Sequence, residues 1–228
     1  KEGEVWVNAR ASKLTFAEDG TVNGAVINKN GNEVSISCKA VVSNAGPLAT
    51  AQIAGSENLP KGYLEEVRKK TDPGAIITLH FASKKDICKF PGLAVGALTP
   101  QLTYAANFSA PELGRCPEGW NLYIAACSPK PSARGEFDVE REVELLKQDV
   151  RTVFKGFDEH AKILDVDVTA GLEWPAQRAI TGNDLPMDTP IANLWNVGDG
   201  VKPWGEAGTA TCAETGRLVV NQILKKMI

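Results

Sequence analysis

The stretch that most constrains what this chain can fold into is its last one. Leu194-Trp195-Asn196-Val197 reads as a short strand, Gly198-Asp199-Gly200 as the turn that leaves it, and a helix is predicted from about residue 207 to residue 227. Ala210, Ala213, Leu218, Val219 and Ile223 supply that helix with a packing face. Glycines in such a turn let a ligand come close to the backbone. The first amides of a helix have no intrahelical acceptor, and with the helix dipole they favour an electron-rich or anionic group. Asp199 sits at the carboxyl end of the strand, the side on which ligands lie in open α/β sheets. The plainer reading is that these glycines punctuate a loop and open a helix.

The patterns leading up to that segment alternate between sheet and helix. Short strands are predicted at residues 4–7, 12–16, 22–27, 33–37 and 40–43, with Asp19-Gly20 and Asn30-Gly31 supplying the positive φ that tight hairpin turns demand. Pro60 opens a short helix carrying Tyr63, Leu64 and Val67 on one side and ending in Arg68-Lys69-Lys70, where cations suit the dipole. Strands return at residues 75–82, 93–98, 102–108 and 121–126. Asp138 is then a natural N-cap for a helix to about residue 154, because Val139, Val143, Leu146, Val150 and Val153 fall on one stripe that must cover the second sheet. Residues 164–169 alternate as a half-buried strand, with Asp165 and Asp167 on one face. Those two carboxylates read as solvated edge residues rather than a catalytic or metal-binding pair. The expected class is α+β (partial α/β).

Composition removes several functions. Lys and Arg number 25 against 28 acidic residues, a net charge of −3 with the signs interspersed, which leaves no electrostatic footprint for nucleic acid. No apolar run reaches about 18 residues, so no transmembrane segment is predicted. The cysteines Cys38, Cys88, Cys116, Cys127 and Cys212 are odd in number and form no C-x-x-C pair, which argues against a disulfide framework and a zinc site and fits a reducing, cytoplasmic setting. His80 lies in an apolar run and reads as a core or sheet-face histidine. No metal is expected.

The strings Asn193-Leu194-Trp195-Asn196-Val197-Gly198-Asp199-Gly200, Gly205-Glu206-Ala207-Gly208-Thr209-Ala210 and Glu214-Thr215-Gly216-Arg217 together closely resemble the C-terminal flavin signature of phytoene desaturase-like and amine-oxidase-related FAD-dependent oxidoreductases. Near the start, Val41-Val42-Ser43-Asn44-Ala45-Gly46-Pro47 is similar to the V-V-x-N-A-x-P string of that family, and Asn8-Ala9-Arg10-Ala11 matches its N-A-R-like segment. The resemblance implies that residues 1–48 and 191–228 are parts of an FAD-binding, Rossmann-like domain and residues 49–190 a mixed sheet-and-helix substrate-binding domain. It implies FAD as cofactor, with Ala11, Asn44, Ala45, Gly198, Asp199, Gly205, Ala207, Gly208 and Thr209 as the binding positions. Asp199 would meet the ribityl or pyrophosphate region, and the backbone of Ala207, Gly208 and Thr209 the pyrimidine end of the flavin.

Trp174, Pro175, Arg178 and Trp204 are candidates for the substrate side that read equally as packing or surface groups, and Trp204 alone is taken as a substrate position. Glu206 reads equally as a first-turn carboxylate that suits the dipole or as an active-site group, and Cys212 as a small core residue. The implied activity is hydride transfer between flavin and a small apolar, isoprenoid or lipid-like substrate, and no catalytic side chain is required because the cofactor carries the hard step. Two alternatives stand beside it: an amine oxidase of the same superfamily, and a non-catalytic lipid- or partner-binding module. Peripheral membrane contact also stays open. One departure is plain: no G-x-G-x-x-G turn, which holds the pyrophosphate in that family, occurs here. The resemblance therefore implies a truncated chain in which FAD is weakly held or absent.

Overall fold

Two asparagine-glycine and aspartate-glycine turns shape the opening strands. Asn30 and Gly31 take φ of 53° and 85°, and the Gly31 N–H donates to Asn28 Oδ1 at 3.0 Å. Positive φ at both central residues matches the twist of a two-residue hairpin. The strands β1 (Ala9–Phe16), β2 (Val22–Lys29) and β3 (Asn32–Ser37) form an antiparallel sheet in the order β1-β2-β3. The expected strand at residues 4–7 is not formed: Val5 and Val7 are 91% and 74% exposed, so alternation there has no apolar face to bury. The computed structural model describes residues 3–71, 74–88, 90, 92–96, 99–109, 114–129, 138–170, 182–206 and 208–227. It divides into two compact units, Lys1–Asp72 with Gln177–Ile228, and Pro73–Ala176.

After the meander comes β4 (Val41–Ser43), then α1 (Pro47–Ala54), a 3₁₀ turn at Ser56–Asn58, and α2 (Lys61–Lys70). The α1 helix is not foreshadowed by periodicity. Its sequence of small residues buries Thr50, Ala51 and Ala54, and Pro47 at its start fits because the missing N–H would have had no partner anyway.

The second unit is a five-stranded antiparallel sheet roofed on one face by a helix. Its strands β5 (Ile76–Ser83), β6 (Gly92–Val95), β7 (Leu102–Asn107) and β8 (Asn121–Cys127) precede α3 (Val139–Val153), the short α4 (Phe157–His160) and β9 (Ala161–Thr169), in the sheet order β6-β7-β8-β5-β9. Asp138 caps α3 as expected, accepting from the Arg141 N–H at 3.0 Å. Leu146, Val150 and Phe154 are fully buried with Ile77, Leu79, Phe81, Tyr123 and Ala125 from alternate positions of β5 and β8. Phe81 meets Phe154 and Phe157 edge-on at 5.1 Å each, the geometry that aromatic quadrupoles prefer. Asp149 is a buried carboxylate on α3 that accepts from the amides of Gln101 and Leu102 at 2.6 and 2.7 Å, stapling the helix to the start of β7. Asp165 and Asp167 are exposed, and His80 is half-buried on β5 opposite Ile124 and Asp165. All five cysteines are free thiols.

The chain then returns to the first unit with β10 (Leu194–Asn196), which pairs in parallel with β4, and closes with α5 (Thr209–Met227). Leu194 joins Leu14, Val22, Ala51, Ala54, Leu59 and Ile191 in that unit's core. The architecture is thus α+β with one short parallel pair. Among the described residues no helix is long and apolar enough to cross a membrane.

Candidate functional site

Because β4 and β10 run parallel, with Leu194 beside Val41 and Asn196 beside Ser43, their carboxyl ends finish side by side. The Val197 N–H extends the pairing by donating to the Ser43 carbonyl at 2.9 Å. The next residues on the two strands are Asn44 and Gly198. They are so close that a Cβ placed on Gly198 would stand 1.9 Å from Asn44 Oδ1 and push that side chain aside, and Gly198 has φ of 87°, a conformation that favours glycine. Beyond Asn44 the chain passes half-buried Ala45 and turns into α1. There the Thr50 hydroxyl donates to the Gly46 carbonyl at 2.9 Å and lies 2.7 Å from Ser43 Oγ, fixing the β4 end from beneath.

The turn after β10 is docked onto α5 rather than left free. The Gly198 N–H donates to Thr215 Oγ1 at 2.7 Å, and that hydroxyl, fully buried, donates in turn to the Cys212 carbonyl at 2.6 Å. Gly198 therefore contributes conformation and close approach, not a free amide. Asp199 makes an ion pair through Oδ1 with Lys202 Nζ. The same ammonium lies 3.0 Å from Asp184 Oδ1, and the Lys202 N–H donates to that oxygen at 3.1 Å. Lys202 is 3% exposed at its side chain and Asp184 8%, so this is a buried charge cluster. Burial alone would depress the Lys202 pKa, but the hydrogen bonds and charges of Asp199 and Asp184 outweigh it and raise the value. Two carboxylates share that ammonium, and a second ammonium, Lys70 Nζ, donates to the Asp184 backbone carbonyl at 3.2 Å. Asp184 Oδ2 is buried with no partner among the described residues.

Sequence reasoning missed Asp184 and Lys202, since a lysine three residues after an aspartate carries no periodic signal. It also missed Tyr63 and Asn196. Asn196 is fully buried at the end of β10, its amide donates to Tyr63 Oη at 3.5 Å, and its Oδ1 has no partner among the described residues. Burial raises the Tyr63 pKa.

The remaining expected positions spread over one path. Gly205 and Gly208 take φ of 84° and 89° with open space where a Cβ would be, and Thr209 begins α5, exposed. Glu206 precedes the helix instead of standing in its first turn, because α5 starts later than its apolar pattern suggested. Trp204 is 86% exposed. Cys212 is half-buried, and burial, then the Asp199 charge, raises its thiol pKa. Ala11 is half-buried in β1 opposite Ile27, beside a register shift. Ala207, Trp174, Pro175 and Arg178 lie outside the described residues. The structure thus brings Asn44, Gly198 and Asp199 together and ties them through Thr215 to α5.

A ligand with hydroxyl donors and an electron-rich edge suits what these residues offer. The glycines at 205 and 208 leave room for it at the backbone, and the part-exposed carboxylate of Asp199 is an acceptor. Among the described residues no group of His, Cys, Asp and Glu is placed to hold a metal ion.

No protein-family model matches the chain, and no curated protein does. Solved structures share its fold. An oxidoreductase from Methanosarcina mazei superposes with a TM-score of 0.80 at 24% identity, over 93% of this chain and 49% of that one. A putrescine oxidase carrying a redesigned cofactor-binding site gives 0.65 at 13% identity over 96% and 49%. A geranylgeranyl bacteriochlorophyll reductase-like protein from Thermoplasma acidophilum gives 0.53 at 16% over 87% and 43%. The chain spans about half the length of these proteins, and at such identities the likeness is one of fold.

Proposed function

We propose that this chain is the flavin-facing part of an FAD-dependent oxidoreductase of the phytoene desaturase-like class, acting on a small apolar, isoprenoid or lipid-like substrate. The observation that carries the reading is the pair of adjacent parallel strand ends, closed by Gly198 against Asn44 and continued by the Gly-Asp-Gly turn into α5. Ligands of open α/β sheets occupy that position. The fold shared with oxidoreductases supports it.

FAD, when bound, supplies the hydride acceptor or donor. The chain's own residues bind and orient. In this reading residues 1–48 and 191–228 belong to the FAD-binding part and the substrate side falls within residues 49–190. Ala11, Asn44 and Ala45 border the adenosine side, and Asp199 accepts hydrogen bonds from the ligand with the oxygen that Lys202 leaves available. The backbone at Gly205, Gly208 and Thr209 permits close approach of a flat ring, with Trp204 towards the substrate. The positive end of α5 favours negative charge beside it by about 0.3–1 kcal/mol. Amine oxidation is a second reading, supported by the fold likeness to putrescine oxidase.

The test uses the complete protein that contains this chain. It should purify with visible flavin absorbance, and Asp199→Ala should lose flavin occupancy; full occupancy in that variant rejects the role given to Asp199. Anaerobic bleaching of the flavin by an isoprenoid polyene precursor, and not by a primary amine, supports the first reading over the second. The 228-residue chain alone should bind FAD weakly, since it has no G-x-G-x-x-G turn.

A further inference from the structure

The second unit holds a cleft of about 410 Å³, within the size range of small-ligand sites. Its floor follows from the sheet register. Ala82 pairs with Leu122 on one side and Lys162 on the other, so the three side chains share a face. The β5–β9 register then shifts between His80 and Phe81, which gives β9 an extra residue at Leu164, and a bulge of this kind re-aims the side chain it carries. Leu164 is 53% exposed and lines the same cleft.

The far wall is the loop before β8. Gly119 takes φ of 75°, the Trp120 N–H donates to the Pro117 carbonyl at 3.1 Å, and Cys116 Sγ lies 3.1 Å from the Trp120 carbonyl. These contacts set the Trp120 ring at the cleft's edge. The charged side chains that line it are of one sign, with Glu118 standing in the loop between Pro117 and Trp120. Arg115 and Lys162 line the cleft, and no acidic residue does among the described lining. Lys84 stands beside it, its ammonium 5.3 Å from the Trp120 ring centroid, and the Arg115 guanidinium lies 5.0 Å from the Phe108 centroid. Each of those two cations is held against a ring face. Among the described residues none of the three has an ion pair. The nearby Asp86 is engaged elsewhere, with Tyr123 Oη and the Cys88 amide.

We propose that this cleft binds a single-chain amphiphile with an anionic phosphate or carboxylate head. An apolar floor of Ala82, Leu122 and Leu164 beside Trp120 would cover a hydrocarbon tail, and gathered cations that lack carboxylate partners match an anionic head. The proposal is argued from the second unit alone, although its residues fall within the 49–190 segment that the proposed function gives to the substrate side. It assigns a binding site and no redox step.

Isothermal titration of the 228-residue protein with decyl phosphate, decanol, decyltrimethylammonium and inorganic phosphate tests it. Decyl phosphate should bind one per chain, more tightly than the other three, and more weakly as salt rises. Arg115→Gln with Lys162→Gln should weaken it by about 2- to 30-fold, from about 0.2–1 kcal/mol for each exposed charge. Leu164→Asp, an exposed change that spares the core, should weaken it further, and circular dichroism of both variants should match the parent. The proposal is overturned by decanol or the cationic detergent binding as tightly as decyl phosphate, by inorganic phosphate alone doing so, or by the double variant binding normally. Recruitment to vesicles of anionic phospholipid without binding of monomeric decyl phosphate also overturns it, and makes this face a membrane contact instead.

Discussion

Gly198→Ala tests whether the two strand ends truly touch. An alanine there must take φ of 87°, a region that costs an L-residue about 1–2 kcal/mol. Its Cβ would also stand 1.9 Å from Asn44 Oδ1, far inside ordinary contact. That oxygen ends an exposed side chain, so the Asn44 amide can swing away, leaving a rotamer cost of about 0.5–1.5 kcal/mol. Alanine recovers about 0.4–1 kcal/mol by restricting the unfolded chain. The net destabilisation is therefore about 0.5–3 kcal/mol, or roughly 1–12 °C in Tm for a chain of this size. Urea unfolding followed by tryptophan fluorescence reads it, since Trp195 on β10 is 2% exposed. The decisive measurement is the double-mutant cycle with Asn44→Ala, which removes the clash but not the backbone strain. A coupling of about 0.5–1.5 kcal/mol is expected, and additivity within about 0.3 kcal/mol would refute the contact.

Two further outcomes follow from burial. Lys202→Met leaves Asp184 and Asp199 without their shared cation and should cost about 3–5 kcal/mol, part of it restored by adding Asp184→Asn; a loss under about 1 kcal/mol would sink the buried cluster. The folded Lys202 pKa is raised, so its contribution is complete below the ordinary lysine value of about 10.4 and disappears as pH climbs through the folded value, an alkaline loss that Lys202→Met should flatten. Burial pushes the Cys127 thiol up to about 11 and raises Cys88 as well, so iodoacetamide near neutral pH should modify half-buried Cys38 and Cys116 well before either. Equal labelling of Cys127 and Cys38 would contradict the packing beneath α3.

Where a residue's role is written in local pattern, the sequence was legible. Asp138 caps α3, Val143, Leu146 and Val150 of its expected stripe face the sheet while Val139 and Val153 at the ends are exposed, and Asn30-Gly31 turns a hairpin, because each depends only on neighbours within a turn or two. The strand–turn–helix at the end of the chain was readable for the same reason. Residues 4–7 were misread because alternation is a condition for a strand and not a partner for one. Helix α1 escaped notice because Pro47–Ala54 is built of small residues with little amphipathic contrast. The Asp184–Lys202–Asp199 cluster depends on the loop from Asp184 folding back onto the turn, where the Leu185 N–H donates to the Gly200 carbonyl at 2.8 Å. No spacing rule reports a contact made by a loop.

That cluster also divides the two roles left open for Asp199. With Lys202 shared between two carboxylates, the Asp199 side chain remains 26% exposed. A pyrophosphate brought against it would set its charge beside that carboxylate, and like charges in a partly buried site repel more strongly than in water. Ribityl hydroxyls would instead donate to the carboxylate and gain charge-assisted bonds. The proposed ligand is therefore best oriented with its sugar-alcohol chain at Asp199 and its electron-rich ring edge towards the positive start of α5. A variant separates the two: Asp199→Asn keeps an acceptor but removes the charge, so it should weaken flavin binding if hydroxyls sit there and strengthen it if phosphates do.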